Sequence, residues 1–222
     1  MNKHPCAAHG CASLAVGFST LCSRHRKTFT RHGHHEQSPV TVHELAPYVR
    51  KVAARQKANP ESPAWSILAE RWQRIEVWAQ HVLQKYAEGH ASVLRDVQAA
   101  QQVQNLAGTV GPQLVIQTAL AVYMLAEADP RRFCSDRAFD FQLVRRVRGL
   151  TATNAGSYWD HKTRKTKRVY RDLAPRAVLS LAAHLKTAFG APGIQLARME
   201  QDRALAAREE QERLADALEA LQ

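Results

Sequence analysis

Four residues near the N-terminus constrain the fold of this chain more than any other feature. Cys6, Cys11, Cys22 and His25 follow the spacing C-x4-C-x10-C-x2-H. Thiolates and imidazoles are ligands that zinc prefers, and four of them complete a tetrahedral shell with no position left for water or substrate. The spacing therefore predicts a structural Zn²⁺ site with a Cys3His ligand set.

The same residues leave two alternatives open. In one, the three cysteines are simply buried and the histidine lies on the surface; in the other, two cysteines form a disulfide. The disulfide is the weaker alternative, because nothing at the N-terminus resembles a signal peptide and Cys134 would add an unpaired thiol. The N-terminal segment is short, polar and poor in core residues, which favours a metal site over both alternatives. Because Cys22 and His25 are three residues apart, they would share one face of a helix that begins near Ser19 or Thr20.

Residues 6–33 contain C-A-A-H-G-C, then L-C-S-R-H-R-K, then T-R-H-G. This segment resembles the short zinc knuckle found at the start of many phage and mobile-element proteins, including HNH homing endonucleases. The resemblance implies that the knuckle contacts nucleic acid, and it covers only this part of the chain.

HNH endonucleases also carry a separate catalytic ββα-metal unit, in which a histidine base is followed by an asparagine and a second histidine. Asp160-His161 could open such a motif, but no asparagine follows it and the only later histidine is His184. The resemblance therefore does not extend to the nuclease site.

The composition indicates a polyanionic partner. The chain has 31 Lys and Arg against 20 Asp and Glu, a formal net charge of +11, and a pI near 9.9. Such a balance favours nucleic acid, although net charge alone also aids solubility. No run approaches the eighteen or so apolar residues that a membrane span requires. We therefore expect a soluble protein of the bacterial cytoplasm.

Positive charge is concentrated in two segments, residues 24–31 of the knuckle and residues 145–171, and no acid precedes Glu36. In the second segment, aromatic residues lie among the basic ones, a mixture that suits phosphate contacts and stacking on unpaired bases. Alternatively, these aromatics are ordinary core or cross-strand residues beside a solvated turn. The predicted nucleic-acid-binding residues are Arg24, Arg26, Lys27, Arg31, Arg145, Arg146, Arg148, Lys162, Arg164, Lys165, Lys167, Arg168, Arg171, Trp159 and Tyr170.

The remaining pattern predicts a mainly α fold with three parts: a zinc knuckle over residues 1–37, a helical domain over 40–190, and a charged C-terminal helix over 194–222. Apolar residues recur at three- and four-residue spacing between Pro and Gly breaks, as in core helices. Three tryptophans, Trp65, Trp72 and Trp78, form one such stripe, which is more typical of core than of a ligand site.

A change of pattern at about 150–173 predicts a β-hairpin, with β-prone pairs flanking a basic connection over residues 160–168. The helix that begins at Pro175 is expected to end at Gly190. Leu214, Leu218 and Leu221 have coiled-coil spacing, but the seam before them is weak, so the tail predicts at most weak self-association.

The sequence contains no recognised catalytic motif. His34-His35-Glu36 includes H-x-E, but the P-C-x-x-C that follows it in zinc deaminases is missing, and both glycine-rich phosphate-loop patterns are absent. We therefore expect a non-enzymatic accessory protein of phage or mobile-element type that binds nucleic acid or a nucleoprotein complex. One alternative is a mobile-element inhibitor of anti-CRISPR type that binds a host ribonucleoprotein. Another is a nuclease with an unrecognised site.

Overall fold

The structure of the chain, a computed structural model, describes residues 4–219, with the backbone alone at 155, 156, 158, 168, 169 and 218. The described part is mainly helical, as the sequence predicts. Its elements are α1 (Ser23–His32), α2 (Val42–Ala58), α3 (Pro63–Ala87), α4 (Leu94–Ala107), α5 (Pro112–Ala128), α6 (Asp136–Arg148), a 3-10 turn (Ala152–Asn154), β1 (Ala155–Asp160), β2 (Lys165–Tyr170) and α7 (Pro175–Glu219).

Helix α5 is the centre of the core. Every residue from Thr118 to Leu125 is buried, because the helix is apolar around its whole circumference. It packs along α7 and also against α2 and α6. Trp72 of α3 is fully buried in the same core, whereas Trp65 and Trp78 are partly buried at its edge. The tryptophan stripe is therefore core, as predicted.

Several helix boundaries follow from local chemistry. Thr41 and Glu44 form a capping box at the start of α2, with the Glu44 N–H donating to Thr41 Oγ1 at 3.1 Å. Ser135 Oγ accepts the Ala138 N–H at the start of α6. Helix α1 begins at Ser23, later than the predicted start near Ser19 or Thr20, because Cys22 has extended backbone and serves as the N-cap residue.

The predicted end of a helix at Gly190 is wrong, because α7 continues from Pro175 to Glu219 through Pro192. A proline inside a helix leaves the carbonyl four residues earlier without its usual donor. Here that carbonyl belongs to Ala188, and Arg71 of α3 donates to it at 3.0 Å. The lost hydrogen bond is thus replaced across the α3–α7 contact. From Gln201 onward the described side chains of α7 are exposed.

The hairpin pairs β1 and β2 antiparallel, with Ala155 opposite Tyr170 and Asp160 opposite Lys165. Both strands are longer than predicted, and the connection spans only residues 161–164. Because neighbouring residues alternate between the two faces, Trp159 projects from the same face as Tyr170. Within residues 4–219, no single helix is long and apolar enough to cross a membrane; α4 and α5 reach that length together, but they meet at a bend of 119°.

Candidate metal centre and nucleic-acid interface

The predicted metal ligands converge. The ligand atoms of Cys6, Cys11, Cys22 and His25 all lie within 4.8 Å of one another. Cys11 Sγ and Cys22 Sγ are 4.0 Å apart, and His25 Nδ1 lies 3.3 Å from Cys6 Sγ and 3.5 Å from Cys22 Sγ. A tetrahedral zinc shell has edges of about 3.8 Å between sulfurs and about 3.6 Å between sulfur and nitrogen. The four residues are therefore positioned to bind a metal ion.

Short backbone contacts build this cluster. An isolated antiparallel bridge joins Pro5 to Leu14, and the Cys6 N–H donates to the Ser13 carbonyl at 2.9 Å. The first two cysteines thus lie on a small folded loop, while Cys22 and His25 lie at the start of α1. Cys6, Cys22 and His25 are buried and Cys11 is half-buried, so the ion would be largely enclosed by protein.

The surroundings of Cys6 favour the thiolate form that binds metals. Burial raises the pKa of this thiol, but hydrogen bonds from the backbone N–H groups of Cys22 and Ala8 and contacts with the His25 and Cys22 side chains outweigh it and lower the pKa to about 6. The Cys22 N–H reaches Cys6 Sγ at 3.2 Å. His25 presents Nδ1 to the sulfurs, and its Nε2 accepts a hydrogen bond from Arg24 Nη2 at 3.1 Å.

A second group of possible ligands, His34, His35 and Glu36, lies just after α1. The two imidazoles are stacked with their centroids 4.2 Å apart. His34 Nδ1 accepts the Glu36 backbone N–H at 3.2 Å, which closes the loop that carries these residues. His34 and His35 are half-buried and Glu36 is exposed, so an ion here would be less enclosed than one held by the three cysteines and His25.

The far end of α1 docks on α6. Gly33 ends the helix with φ of 81°, and a Cβ atom there would lie 2.6 Å from the Arg137 carbonyl oxygen. Only glycine combines that backbone conformation with so close an approach. His32 Nδ1 lies 3.2 Å from Gln142 Nε2, and Gln142 Oε1 accepts the Val40 N–H at 2.9 Å. The knuckle is therefore fixed to the helical body on both sides of residues 33–39.

The segment after α1 is also held in place. Gln37 is buried, and it donates to the Arg132 carbonyl at 3.2 Å while accepting the Cys134 N–H at 3.0 Å. Arg132 pairs with Glu44, and this hydrogen bond with the carboxylate lowers the Glu44 pKa. Residues 37–39 are thus a docked connection, because the loop before α6 supplies their backbone and side-chain partners.

Asp172 pairs with an arginine from each of the two basic segments, residues 24–31 and residues 145–171. Its carboxylate lies 2.9 Å from Arg31 Nε, on the knuckle helix, and 3.4 Å from Arg145 Nη1, on α6. The Arg145 guanidinium in turn lies over the Tyr170 ring, 4.4 Å from its centroid. Knuckle, α6 and hairpin base therefore meet at one place, which we call the basic junction: Arg31, Arg145, Tyr170 and Asp172.

Arg148 is buried beneath the basic junction, where it holds the hairpin to the body. It donates to Gln102 Oε1 at 2.8 Å, Asn154 Oδ1 at 2.9 Å, the Arg171 carbonyl at 3.1 Å and the Tyr170 hydroxyl at 3.1 Å. Burial lowers its pKa, and so does Arg145, while Tyr170 and Asp172 oppose the shift. All three guanidinium nitrogens therefore serve the fold and point inward.

The hairpin end is exposed and basic. Trp159 is 52% exposed. Asp160 shapes the connection by accepting the Lys162 N–H at 3.1 Å and the Thr163 hydroxyl at 2.8 Å, and it pairs with Lys167. Hydrogen bonds from Lys167 and Thr163 lower the Asp160 pKa. The Asp160 carboxylate is thus occupied by partners within the hairpin, and Lys162, Arg164 and Lys165 are exposed to solvent.

The predicted nucleic-acid-binding residues divide by exposure. Arg145, Arg146 and Tyr170 are half-buried at or beside the basic junction, Arg148 is buried, and the Arg168 side chain lies outside the described residues. The exposed members are Arg24, Arg26, Lys27, Arg31, Trp159, Lys162, Arg164, Lys165, Lys167 and Arg171. These exposed side chains are the ones available to a partner.

Three residues that organise this region could not be identified from the sequence: Asn154, Gln142 and Asp172. Asp172 pairs with Arg31, which is far from it in the chain. Asn154 lies in an irregular turn and donates to the Arg148 carbonyl, and Gln142 is a buried polar residue of α6.

A scan against protein-family models finds no matching family, and searches of curated proteins and of solved structures find no match. The site must therefore be interpreted from its own geometry.

Proposed function

We propose that the metal is Zn²⁺ and that the chain is a non-catalytic protein that binds nucleic acid, alone or within a nucleoprotein complex. The Cys3His donor set supports zinc, because it offers the right ligand types at tetrahedral spacing and closes the shell. The ion would fold the knuckle and would leave no open position for substrate. The likeness of residues 6–33 to knuckles of phage and mobile-element proteins supports an accessory role of that type.

The basic junction is the observation that carries this proposal. Arg31 and Arg145 are separated by about half of the chain, yet both contact Asp172. Two basic segments that could have faced opposite directions are thus joined on one part of the surface. Exposed cations from both segments that contact one polyanion would neutralise several of its phosphates at once and release their counterions.

The exposed side chains take different roles in this proposal. Lys162, Arg164 and Lys165 at the hairpin connection contact phosphates, as do Arg24, Arg26 and Lys27 on α1. Trp159 stacks on an unpaired base, an interaction of about 1–3 kcal/mol by alanine substitution. Arg148 and Tyr170 position the hairpin from within.

The test is a fluorescence-anisotropy titration of the zinc-loaded chain against labelled single- and double-stranded DNA and RNA over a range of salt concentrations. We expect affinity to fall steeply with salt. Replacing Lys162, Arg164 and Lys165 together by glutamine should reduce the slope of log K against log salt by about 2–3 for a duplex. Trp159→Ala should weaken single-stranded binding by about tenfold and leave duplex binding nearly unchanged.

A charge-matched control separates the surface from net charge. Lys57, Arg74 and Lys85 are exposed on α2 and α3, and their replacement by glutamine removes the same charge. An equal loss of slope in this control would contradict the proposed surface. Binding to none of the nucleic acids would favour the inhibitor that binds a host ribonucleoprotein, and magnesium-dependent cleavage lost in His161→Ala would favour the nuclease.

A further inference from the structure

A cavity of about 370 Å³ opens where the end of α2, the first turn of α3 and the middle of α7 meet. Leu68, Leu120 and Leu196 line its buried part, and Trp65, Pro192 and Met199 are further apolar lining. This volume lies in the range of small-molecule sites, which are mostly apolar with a few polar groups at defined positions.

A second cavity of about 430 Å³ shares Arg55, Asn59 and Met199 with the first, so the two form one groove between α2 and α7. Its lining carries three cations, Lys51, Arg55 and Arg203, and one acid, Glu200. Glu200 already pairs with Arg55. The groove is therefore apolar at one end, and at the other it has an excess of two positive charges.

The groove is preformed. The Trp65 indole N–H donates to the Asn59 carbonyl at 3.0 Å, which fixes the ring at the wall of the cavity. Arg71 donates to the Ala188 carbonyl, which Pro192 leaves without its usual donor, and this contact fixes the α7 wall of the groove. A ligand would then bind without first ordering these walls, which lowers the cost of association.

We propose that this groove binds a small amphipathic anion, with an apolar body in the first cavity and a carboxylate, sulfonate or phosphate head between Lys51 and Arg203. The apolar floor formed by Leu68, Leu120 and Leu196 suits an acyl chain or ring and offers little to a nucleic-acid backbone. The two cations at the mouth supply charge of the opposite sign. This site shares no residue with the basic junction, so it is independent of the proposed nucleic-acid binding.

The probe is 1-anilinonaphthalene-8-sulfonate, an aromatic anion whose fluorescence rises in apolar surroundings, titrated into the zinc-loaded full chain. We expect saturable binding at one site per chain. Octanoate should displace the probe at least tenfold more effectively than octan-1-ol, which has the same apolar length but no charge. Octyl phosphate, titrated in parallel, distinguishes a phosphate head from a carboxylate.

Two variants locate the binding. Lys51→Glu with Arg203→Glu should weaken probe affinity at least tenfold, whereas Lys57→Glu with Lys85→Glu makes the same charge change outside the groove and should leave it unchanged. Ala64→Phe at the lip should also reduce binding, because the ring enters the cavity. Circular dichroism establishes that each variant is folded.

The proposal is overturned if probe binding does not saturate, if both charge variants lose affinity equally, or if octan-1-ol competes as well as octanoate. Concentration-dependent dimerisation that octanoate reverses would place a second copy of the chain in the groove, which also overturns it.

Discussion

Replacing Arg148 by alanine distinguishes a residue that holds the fold from one that contacts phosphate. In the structure its guanidinium donates to four protein acceptors and is buried. Hydrogen bonds to a charged group contribute about 1.5–3 kcal/mol each, and burial of the cation offsets several kcal/mol of their sum. We expect Arg148→Ala to lower the free energy of unfolding by roughly 2–4 kcal/mol. Arg148→Lys should recover about half of this loss, because an ammonium cannot reproduce the planar fork.

Urea unfolding of the zinc-loaded chain, followed by tryptophan fluorescence, measures this change. Hydrogen exchange adds a local readout, because the Arg171 N–H donates to the Asn154 carbonyl at 2.8 Å and should lose protection in the variant. The matched comparison is Arg145→Ala, since Arg145 is only half-buried and pairs at the surface with Asp172. Unchanged stability and exchange in Arg148→Ala, together with a flattened salt dependence of nucleic-acid binding, would refute the structural role and make Arg148 a phosphate contact.

Three further predictions test the metal, the packing of α7 and a half-buried histidine. Chelation of the metal, or Cys11→Ser, should unfold residues 4–33 and leave most of the far-ultraviolet helix signal, since the core around α5 lacks metal ligands; loss of the whole signal would contradict this. Gly193→Ala places a Cβ atom 2.6 Å from the Tyr123 ring and should destabilise the folded chain by about 1–3 kcal/mol. The Cβ atom of Gly190→Ala would lie 3.4 Å from the Tyr123 hydroxyl, so this variant should be neutral or stabilising in thermal unfolding. Burial lowers the His184 pKa, so below pH 6.5 the unfolded chain binds more protons than the folded one and the free energy of unfolding should fall as the pH falls. In urea unfolding between pH 7.5 and 5, His184→Gln should reduce the dependence of this free energy on pH. An unchanged dependence would contradict the prediction.

The sequence predicts best what depends on local chemistry. The capping box at Thr41, the N-cap at Ser135 and the apolar run of α5 each specify an element without reference to the rest of the chain. The metal cluster belongs to the same class, because Cys22 and His25 are three residues apart on one helical turn and only the loop carrying the first two cysteines must fold onto them.

The features that the sequence does not predict depend on tertiary partners. Gly190 and Pro192 together look like a helix end, and α7 continues because a donor from α3 takes the freed Ala188 carbonyl and because small residues let the helix approach Tyr123. In the same way, nothing local distinguishes Arg148 from Arg145. Their roles differ because the turn at Asn154 and the end of β2 place acceptors around one guanidinium and leave the other at the surface.

The knuckle is too small to hold a fixed position through a core of its own, so its placement depends on what α6 offers. Cys6, Ala8 and Cys22 are the buried apolar residues of its own small cluster. The approach of Gly33 to the Arg137 backbone and the contacts of Gln142 supply fixed geometry, whereas the exposed ion pair between Arg31 and Asp172 adds at most about 1 kcal/mol. Neutral, buried contacts therefore set the orientation of the knuckle, and its exposed cations need not take part in holding it. In the proposed function, a polyanion would therefore displace the counterions of these cations without loosening the structure that presents them.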